Sequence, residues 1–484
     1  MSSIQTRKNM SAPIRLGNFI CVAAGVIAAL VCGMQTVEEG LELLFLLPVA
    51  FTICSLLFLR AFSYWRDNVA FIIIFATIVV RYLVTPVLIT FSENALTTVS
   101  PSPDNYRLAI FIQILELVAI LTVIDCVWTR HKQKRNDLNG SVFSPNMDFK
   151  LSWTGILFLA LLVFMLISRG RFTQLIDRYS TWWFVSEDTS PVYYYDYIAF
   201  EIIKSVVGVL LITLFAKYYH KSRSIVTKQF CFLMATAVAL GMTCFYLYEQ
   251  RATLAQLIIS SIVVLFAFFP HKKKLMVLFS IIGCGAVLIV FMTSTMHYEF
   301  GGTNHNLLAN MSKMAELYVP GTSMVAVTQQ RYAWVRENMQ PMTYLSDIIS
   351  STHIFGMFPF LRGINDITAN IPSTNELFKT SLGELPYVLP NYSLWTYWVT
   401  DILGFVFEVL SMYIVVRVIC YADEKKKRSA NACYYYAFAY VETMLGQTIF
   451  MTNNYLLWHT FTNLPLWLFV FLFVNNLGNR FKLK

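Results

Sequence analysis

The chain reads as an all-α polytopic integral membrane protein, with about 12 transmembrane helices and one large extracytoplasmic loop carrying short interfacial helices. Three observations predict this. Hydrophobic residues make up 57% of the 484 positions and charged residues only 13%, about half the ~25% charged share of soluble domains; mean hydropathy is +0.57. Apolar runs of roughly 17–25 residues recur along the chain, the length at which a helix crosses a bilayer. Basic residues cluster in every second connection between those runs, the pattern of the positive-inside rule. In hydrocarbon each backbone group must be bonded within its own segment, so the runs are helices.

Taken in order, the first run, 18–34, follows Arg7, Lys8 and Arg15. No small-x-small cleavage site follows, so it reads as an uncleaved first helix rather than a signal peptide. Spans are expected next at 43–59, 69–91, 108–128 and 151–168. A smaller external loop at 169–196 holds Arg169, Arg171, Arg178, Trp182, Trp183 and the run Tyr193-Tyr194-Tyr195. Spans at 197–216, 229–248, 254–269 and 275–294 complete the first part of the chain, 1–294, with nine helices. Residues 295–392 are the large loop, and 393–484 carry the last three spans at 393–419, 431–450 and 458–476. Under this arrangement 24 of the 37 basic residues fall on one side. Both termini are then cytoplasmic and the long loop is external.

Net charge and cysteines exclude more than they assign. The charge of +9 is accounted for by the basic cytoplasmic connections, so no nucleic-acid partner is implied. The nine cysteines all lie in or beside apolar runs, which argues for small buried hydrophobes and against a disulfide framework.

The long loop is the one extended break in the apolar pattern, and loops of that length usually carry function. Within it Leu307, Leu308, Met311, Met314, Ala315 and Tyr318 recur at helical spacing, as do Met324, Val327, Arg331 and Trp334. Two helices lying on the membrane face are predicted, separated by Pro320-Gly321 and ended near Pro341, with a weaker third at 344–354.

External loops of such proteins are normally poor in Lys and Arg, yet ten basic residues fall there and eight are arginine. A guanidinium presents a fixed fork that matches diphosphate oxygens and never loses its charge. Arg169, Arg171, Arg178, Arg331, Arg336 and Arg362, with His305, are therefore candidate contacts for an anionic ligand; the competing reading is snorkelling at the head-group interface. Arg81 sits mid-span with Glu116 at similar depth in the next helix, so it is either half of an ion pair or a further ligand contact. Glu201 and Lys204, three residues apart, are placed to pair with each other. Asp401 has no such neighbour, which makes it and His353 candidates for proton transfer. No metal-ligand spacing, nucleophile elbow, P-loop or dinucleotide fingerprint occurs, and no cofactor is implied.

Two passages resemble a known family. Tyr246-Leu-Tyr-Glu-Gln-Arg251-Ala-Thr-Leu-Ala, followed by an apolar helix and His271-Lys-Lys-Lys, looks like the "(S/Q)-R-(G/A)" turn of Wzy-type oligosaccharide repeat-unit polymerases. Ser373-Thr-Asn-Glu-Leu-Phe378, leading through Asn391-Tyr-Ser-Leu-Trp to Asp401 and Gly404, is similar to that family's other landmark, a small-polar stretch before a helix bearing an Asp and then a Gly. The likeness in topology covers nearly the whole chain and the likeness in residues about a tenth of it. The family's glycine-rich turn is replaced by Leu389-Pro-Asn-Tyr-Ser, and its Arg-x10-Gly loop spacing is absent. His305-Asn306-x-Leu308 is similar to a motif of the related O-antigen ligases, displaced from the helix it would precede.

The resemblance implies a metal-independent membrane glycosyltransferase of the bacterial cytoplasmic membrane. It would polymerise polyprenyl-diphosphate-linked repeat units into O-antigen, capsular or exopolysaccharide, alongside a chain-length regulator and a flippase. Arg251 is then the expected diphosphate-holding residue, with Asp401 or His353 taking the proton and Arg81 among the substrate contacts. The alternative is a flippase for the same lipid-linked oligosaccharide; against it, no repeat between the two halves is evident.

Overall fold

The structure is a computed structural model that describes residues 12–35, 37–92, 101–137, 148–171, 194–244, 251–272, 274, 307–350, 371–382, 391–399, 401–429, 431–450 and 464–481. Among these there is no strand; one isolated bridge pairs Asp148 with Asn431.

Ala12–Met34 (α1) packs along Leu46–Leu57 (α2). Val69–Ser92 (α3) starts where the Asn68 side chain accepts from the Ala70 amide at 2.8 Å, a side-chain cap for a donor the helix leaves orphaned. Halfway along, Val80–Val84 form a π turn. Pro86 follows one turn later and cannot donate to the Tyr82 carbonyl, so the backbone widens there. Pro103–Asp137 (α4) opens on a proline whose missing N–H is no loss at the first helical position. Trp153–Ser168 (α5), Tyr194–Lys221 (α6), Ile225–Cys244 (α7) and Arg251–Phe268 (α8) follow.

The chain closes with Asp401–Arg428 (α14), Ala432–Thr448 (α15) and Leu464–Phe481 (α16), after five helices, α9 to α13, described below. Among the described residues six helices are long and apolar enough to cross a membrane, in α1, α3, α4, α6, α7 and α14, and four shorter apolar ones lie in α2, α5, α8 and α16. The protein is an all-α membrane protein. The span expected at 275–294 lies outside the described residues.

Two apolar cores share one helix. The first gathers α1 to α4 with α14; the second gathers α5 to α8 with α16. α15 gives Val441, Met444 and Leu445 to the first, and Cys433, Tyr436 and Tyr440 to the second. Because protein surrounds it on all sides, α15 need not be uniformly apolar, and it holds Glu442, Thr443 and Gln447. At Gly446 the α3 backbone comes so near that a Cβ would stand 2.8 Å from the Ala70 carbonyl oxygen, the close approach that small residues permit between membrane helices.

The tenth expected span, 393–419, is corrected. It is two helices, Asn391–Trp398 (α13) and α14, folded back on each other. The Trp395 ring stacks on Phe407 at 5.4 Å, and a Cβ at Gly404 would stand 2.8 Å from the Thr396 backbone. In one continuous helix the twelve residues between those rings would span about 18 Å. The aromatic stretch buries itself against the N-terminal end of α14, and Asp401 becomes the first residue of the spanning helix instead of lying within it.

The long loop supplies Leu307–Tyr318 (α9), Thr322–Asn338 (α10), Pro341–Ser350 (α11) and Thr374–Ser381 (α12). The predicted pair and its break at Pro320-Gly321 are there, and the third helix starts at Pro341, earlier than expected. Their placement differs from the expectation. The first half of α10 is held in protein: residues 322–328 are all buried, and Val325 and Ala326 join the first core against α4, while Trp334 in its second half stays exposed. The α9–α10 hairpin is set into the helix bundle.

Candidate functional site

Beneath that hairpin, α3, α4, α9, α10 and α14 enclose a cluster of buried polar groups. The π turn presents Arg81, 1% exposed, whose Nη2 donates to Glu116 Oε2 of α4 at 2.6 Å. One turn earlier on α4, Gln113 joins the bundle to the hairpin. With its amide oriented to satisfy both ends, its oxygen accepts from Arg81 Nε and the Thr322 amide, each at 3.2 Å. Its nitrogen donates to Thr322 Oγ1 at 2.9 Å. The Tyr82 hydroxyl donates to the Gln113 carbonyl at 2.6 Å, and the Phe450 ring lies 5.0 Å from the Arg81 guanidinium carbon.

Glu408 of α14 completes the cluster, fully buried and facing the Glu116 carboxyl. Among the described residues, no donor other than the Glu116 carboxyl reaches Glu408; Arg81 Nη1 and Thr85 Oγ1 are without a hydrogen-bond partner. So little hydrogen bonding around buried polar atoms is unusual, because stranding such a group costs about 1–3 kcal/mol. Their grouping marks the place where the bundle can accept a ligand's polar atoms or water.

Glu316 of α9 seals the hairpin. Its carboxylate accepts from the Ser323 and Met324 amides at 3.2 and 3.1 Å, capping the first turn of α10 with an anion. Gly321 makes room for it, since a Cβ there would lie 3.1 Å from Glu316 Oε1. Burial pushes its pKa up to about 7, while the two amides and Arg81 pull the other way. A carboxyl raised in this way holds more protons folded than unfolded. The stability it contributes is therefore full near pH 4.5 and is lost as the pH rises to about 7, by up to about 3 kcal/mol. Melting temperature measured from pH 5 to 8 should fall across that window and be nearly flat for Glu316→Gln; an unchanged slope would remove Glu316 as its source.

The remaining loop residues form a third, smaller core. Met324, Val327, Val335, Leu377, Phe378 and Tyr397 pack together. Arg336 Nη1 donates to the Tyr397 and Val399 carbonyls, both at 2.7 Å, closing the C-terminal end of α13. Asp347 of α11 accepts from the Thr374 amide at 2.7 Å, from Thr374 Oγ1, and from Trp398 Nε1 at 2.9 Å, tying three helices together. Burial holds its pKa above the usual carboxylate range. Ser373 and Glu376, within one of the passages that resemble the polymerases, form a capping box at the start of α12.

The structure brings some of the sequence candidates together and separates others. Arg81 pairs with Glu116, and Lys204 with Glu201 at 2.5 Å. Arg171 and Arg169 converge on Asp196 at 2.8 and 3.6 Å, and Arg169 also stacks over Tyr195. Arg331 is half-buried on α10 with its Nε lacking a hydrogen-bond partner among the described residues. Arg336 lies fourteen residues along α10 from Thr322, a helical rise of about 21 Å. Arg251 and Asp401 are the first residues of α8 and α14, their side chains outside what is described; Arg178, His305, His353 and Arg362 also lie outside the described residues.

Sequence reasoning missed Gln113, Glu316, Thr322, Glu408 and Asp347. Glu408 carried a readable signal, a carboxylate eight positions into an apolar run. The others act through contacts made across a turn or between helices, and spacing alone does not reveal them. No family model, curated protein or solved structure matches this chain.

Proposed function

We propose that the protein is a membrane glycosyltransferase that polymerises polyprenyl-diphosphate-linked oligosaccharide repeat units on the outer face of the bacterial cytoplasmic membrane. One observation carries the reading. The α9–α10 hairpin covers a buried cluster of charge, and α11 to α13 pack on α10 in a core of their own instead of spreading over the surface. Such an assembly suits two large glycans that must be aligned above a lipid-held diphosphate, which turns an encounter into a near-unimolecular step.

In the reaction the hydroxyl oxygen of an incoming lipid-linked unit bonds to the anomeric carbon of the growing chain. The bond from that carbon to the diphosphate oxygen breaks, polyprenyl diphosphate departs with the electron pair, and the hydroxyl proton passes to a base. Charge develops on the leaving diphosphate. Arg251, where the α8 N-terminus adds partial positive charge, is the proposed donor, with Arg331 assisting. Asp401 and His353 are the candidate bases.

Arg251→Lys keeps the charge but loses the fork. Polymer formation from purified lipid-linked units should fall by roughly 100- to 1,000-fold, the scale for losing one preorganised donor, and Arg251→Ala should abolish it. Full activity of the Lys variant at matched protein level would remove Arg251 from the site.

A flippase of the same substrate is the second reading, favoured by the ionisable groups and the π turn within the spans. Deleting the gene separates the two. Single-unit glycans at the surface mark a lost polymerase, and none at the surface marks a lost flippase.

A further inference from the structure

At the opposite end of α14, the run Lys425-Lys426-Lys427-Arg428 divides its charges. Lys426 turns inward to the buried Glu442, and Lys427 pairs with the buried Asp423 at 2.6 Å. Asn68 donates to Glu442 Oε1 at 2.8 Å and His131 lies 3.4 Å from Asp423, so these two lysines are held in a network joining α3, α4, α14 and α15. Lys425 and Arg428 remain exposed. Lys425 lies over the Tyr421 ring at 5.3 Å, and Arg428 makes only a solvent-exposed contact with Glu424 at 2.9 Å. Pairs of that kind contribute little and yield readily to a better acceptor.

Those two cations stand at the mouth of a groove of about 660 Å³ between α14, α15 and α16. Its polarity is graded along the helices. Lys425, Arg428 and the Ser429 hydroxyl mark the end where α14 terminates; Val418, Phe438 and Phe469 line the part reaching toward the bilayer interior. A cationic rim over an apolar trough, aligned with the spanning helices, matches one molecule type: a phosphate head group with an acyl chain beneath it. Basic pockets between membrane helices bind anionic lipid head groups in this manner.

We infer that this groove binds an anionic phospholipid, its phosphate on Lys425 and Arg428 and an acyl chain in the trough lined by Val418, Phe438 and Phe469. The site lies at the other end of α14 from the Arg81 cluster, and the inference does not rest on the proposed polymerase activity. A soluble anion would use the rim alone, and an uncharged lipid the trough alone; the occupant proposed here uses both.

The test is lipid retention by the full chain, exchanged from mixed phosphatidylglycerol and phosphatidylcholine micelles and weighed by native mass spectrometry. Wild type should retain phosphatidylglycerol with roughly 25-fold preference, the scale that two interfacial basic residues supply. Lys425→Gln with Arg428→Gln should bring the ratio to about one, again on the scale of about fivefold per basic residue. Should that variant not fold, Val418→Trp fills the trough from its lipid-facing side and should likewise release the lipid while leaving the buried network intact. No preference in wild type, or the same preference in both variants, overturns the inference. So does displacement of the lipid by glycerol phosphate at equal concentration, which would make the site one for an anion alone.

Discussion

Arg81→Met should destabilise the helix bundle by about 3–5 kcal/mol, the scale for stranding one member of a buried ion pair. The change leaves Glu116 without its 2.6 Å partner and removes one donor to the Gln113 amide, so the Gln113–Thr322 tie to the α9–α10 hairpin loses its support from α3. Thermal unfolding in detergent, read by the monodisperse fraction surviving each temperature, measures the loss. Adding Glu116→Leu to the same chain should restore much of it, because removing both charges is far cheaper than removing one. Glu408→Gln is the informative contrast. No donor but the Glu116 carboxyl reaches Glu408 among the described residues, so an amide there should leave the protein as stable as wild type or more so. Stability gained together with polymer lost would identify Glu408 as a group kept for function against the interest of the fold. A wild-type melting temperature for Arg81→Met would show that the pair contributes nothing.

Asp347→Ala should detach α11, α12 and α13 from one another while the spans stay inserted. Its carboxylate accepts three hydrogen bonds, from the Thr374 amide, the Thr374 hydroxyl and the Trp398 indole. Each buried donor left stranded costs about 1–3 kcal/mol, so a loss of about 3 kcal/mol confined to α11, α12 and α13 is expected. Hydrogen exchange should quicken across those three helices and remain slow in α3, α4 and α15. Because α13 braces the N-terminal end of α14, the proposed polymerase activity should yield shorter polymer as well. Uniform protection identical to wild type would mean that the apolar contacts around Tyr397 hold the assembly unaided.

What the sequence made legible follows from which forces are local. Apolar runs predict the spans because burial in lipid acts on each helix separately, and Arg81 with Glu116 was readable because two lone charges at one depth need each other. The interfacial helices were legible as helices from the spacing of Leu307 through Tyr318, yet α10 was misplaced. Its stripe of Met324 and Val327 is equally suited to lipid and to protein, and only the surface supplied by Leu377, Phe378 and Tyr397 decides between them. The tenth span failed for a related reason: Trp395, Tyr397 and Trp398 are apolar enough to continue a helix, and the reversal before Asp401 depends on the fit of Thr396 against Gly404. Ser373 and Glu376, met first as part of a family landmark, cap a helix, so their spacing has a local cause that would hold in any function.

The position of α15 in the chain has a consequence for how the protein is made. It completes both cores, yet its first residue is Ala432 of 484. Ribosomes deliver helices from the N-terminus at roughly 5–20 residues per second, so α3 waits tens of seconds for the helix on which Ala70 rests. α5 waits as long for α16, whose Asn475 Oδ1 accepts from the Ser152 amide at 2.8 Å. Through that interval Arg81 has Glu116 at hand while Glu201 has Lys204, each supplied within the next helix or the next turn. The earliest-made charges thus travel already neutralised, and a truncation after α14 should strand two half-bundles with nothing between them.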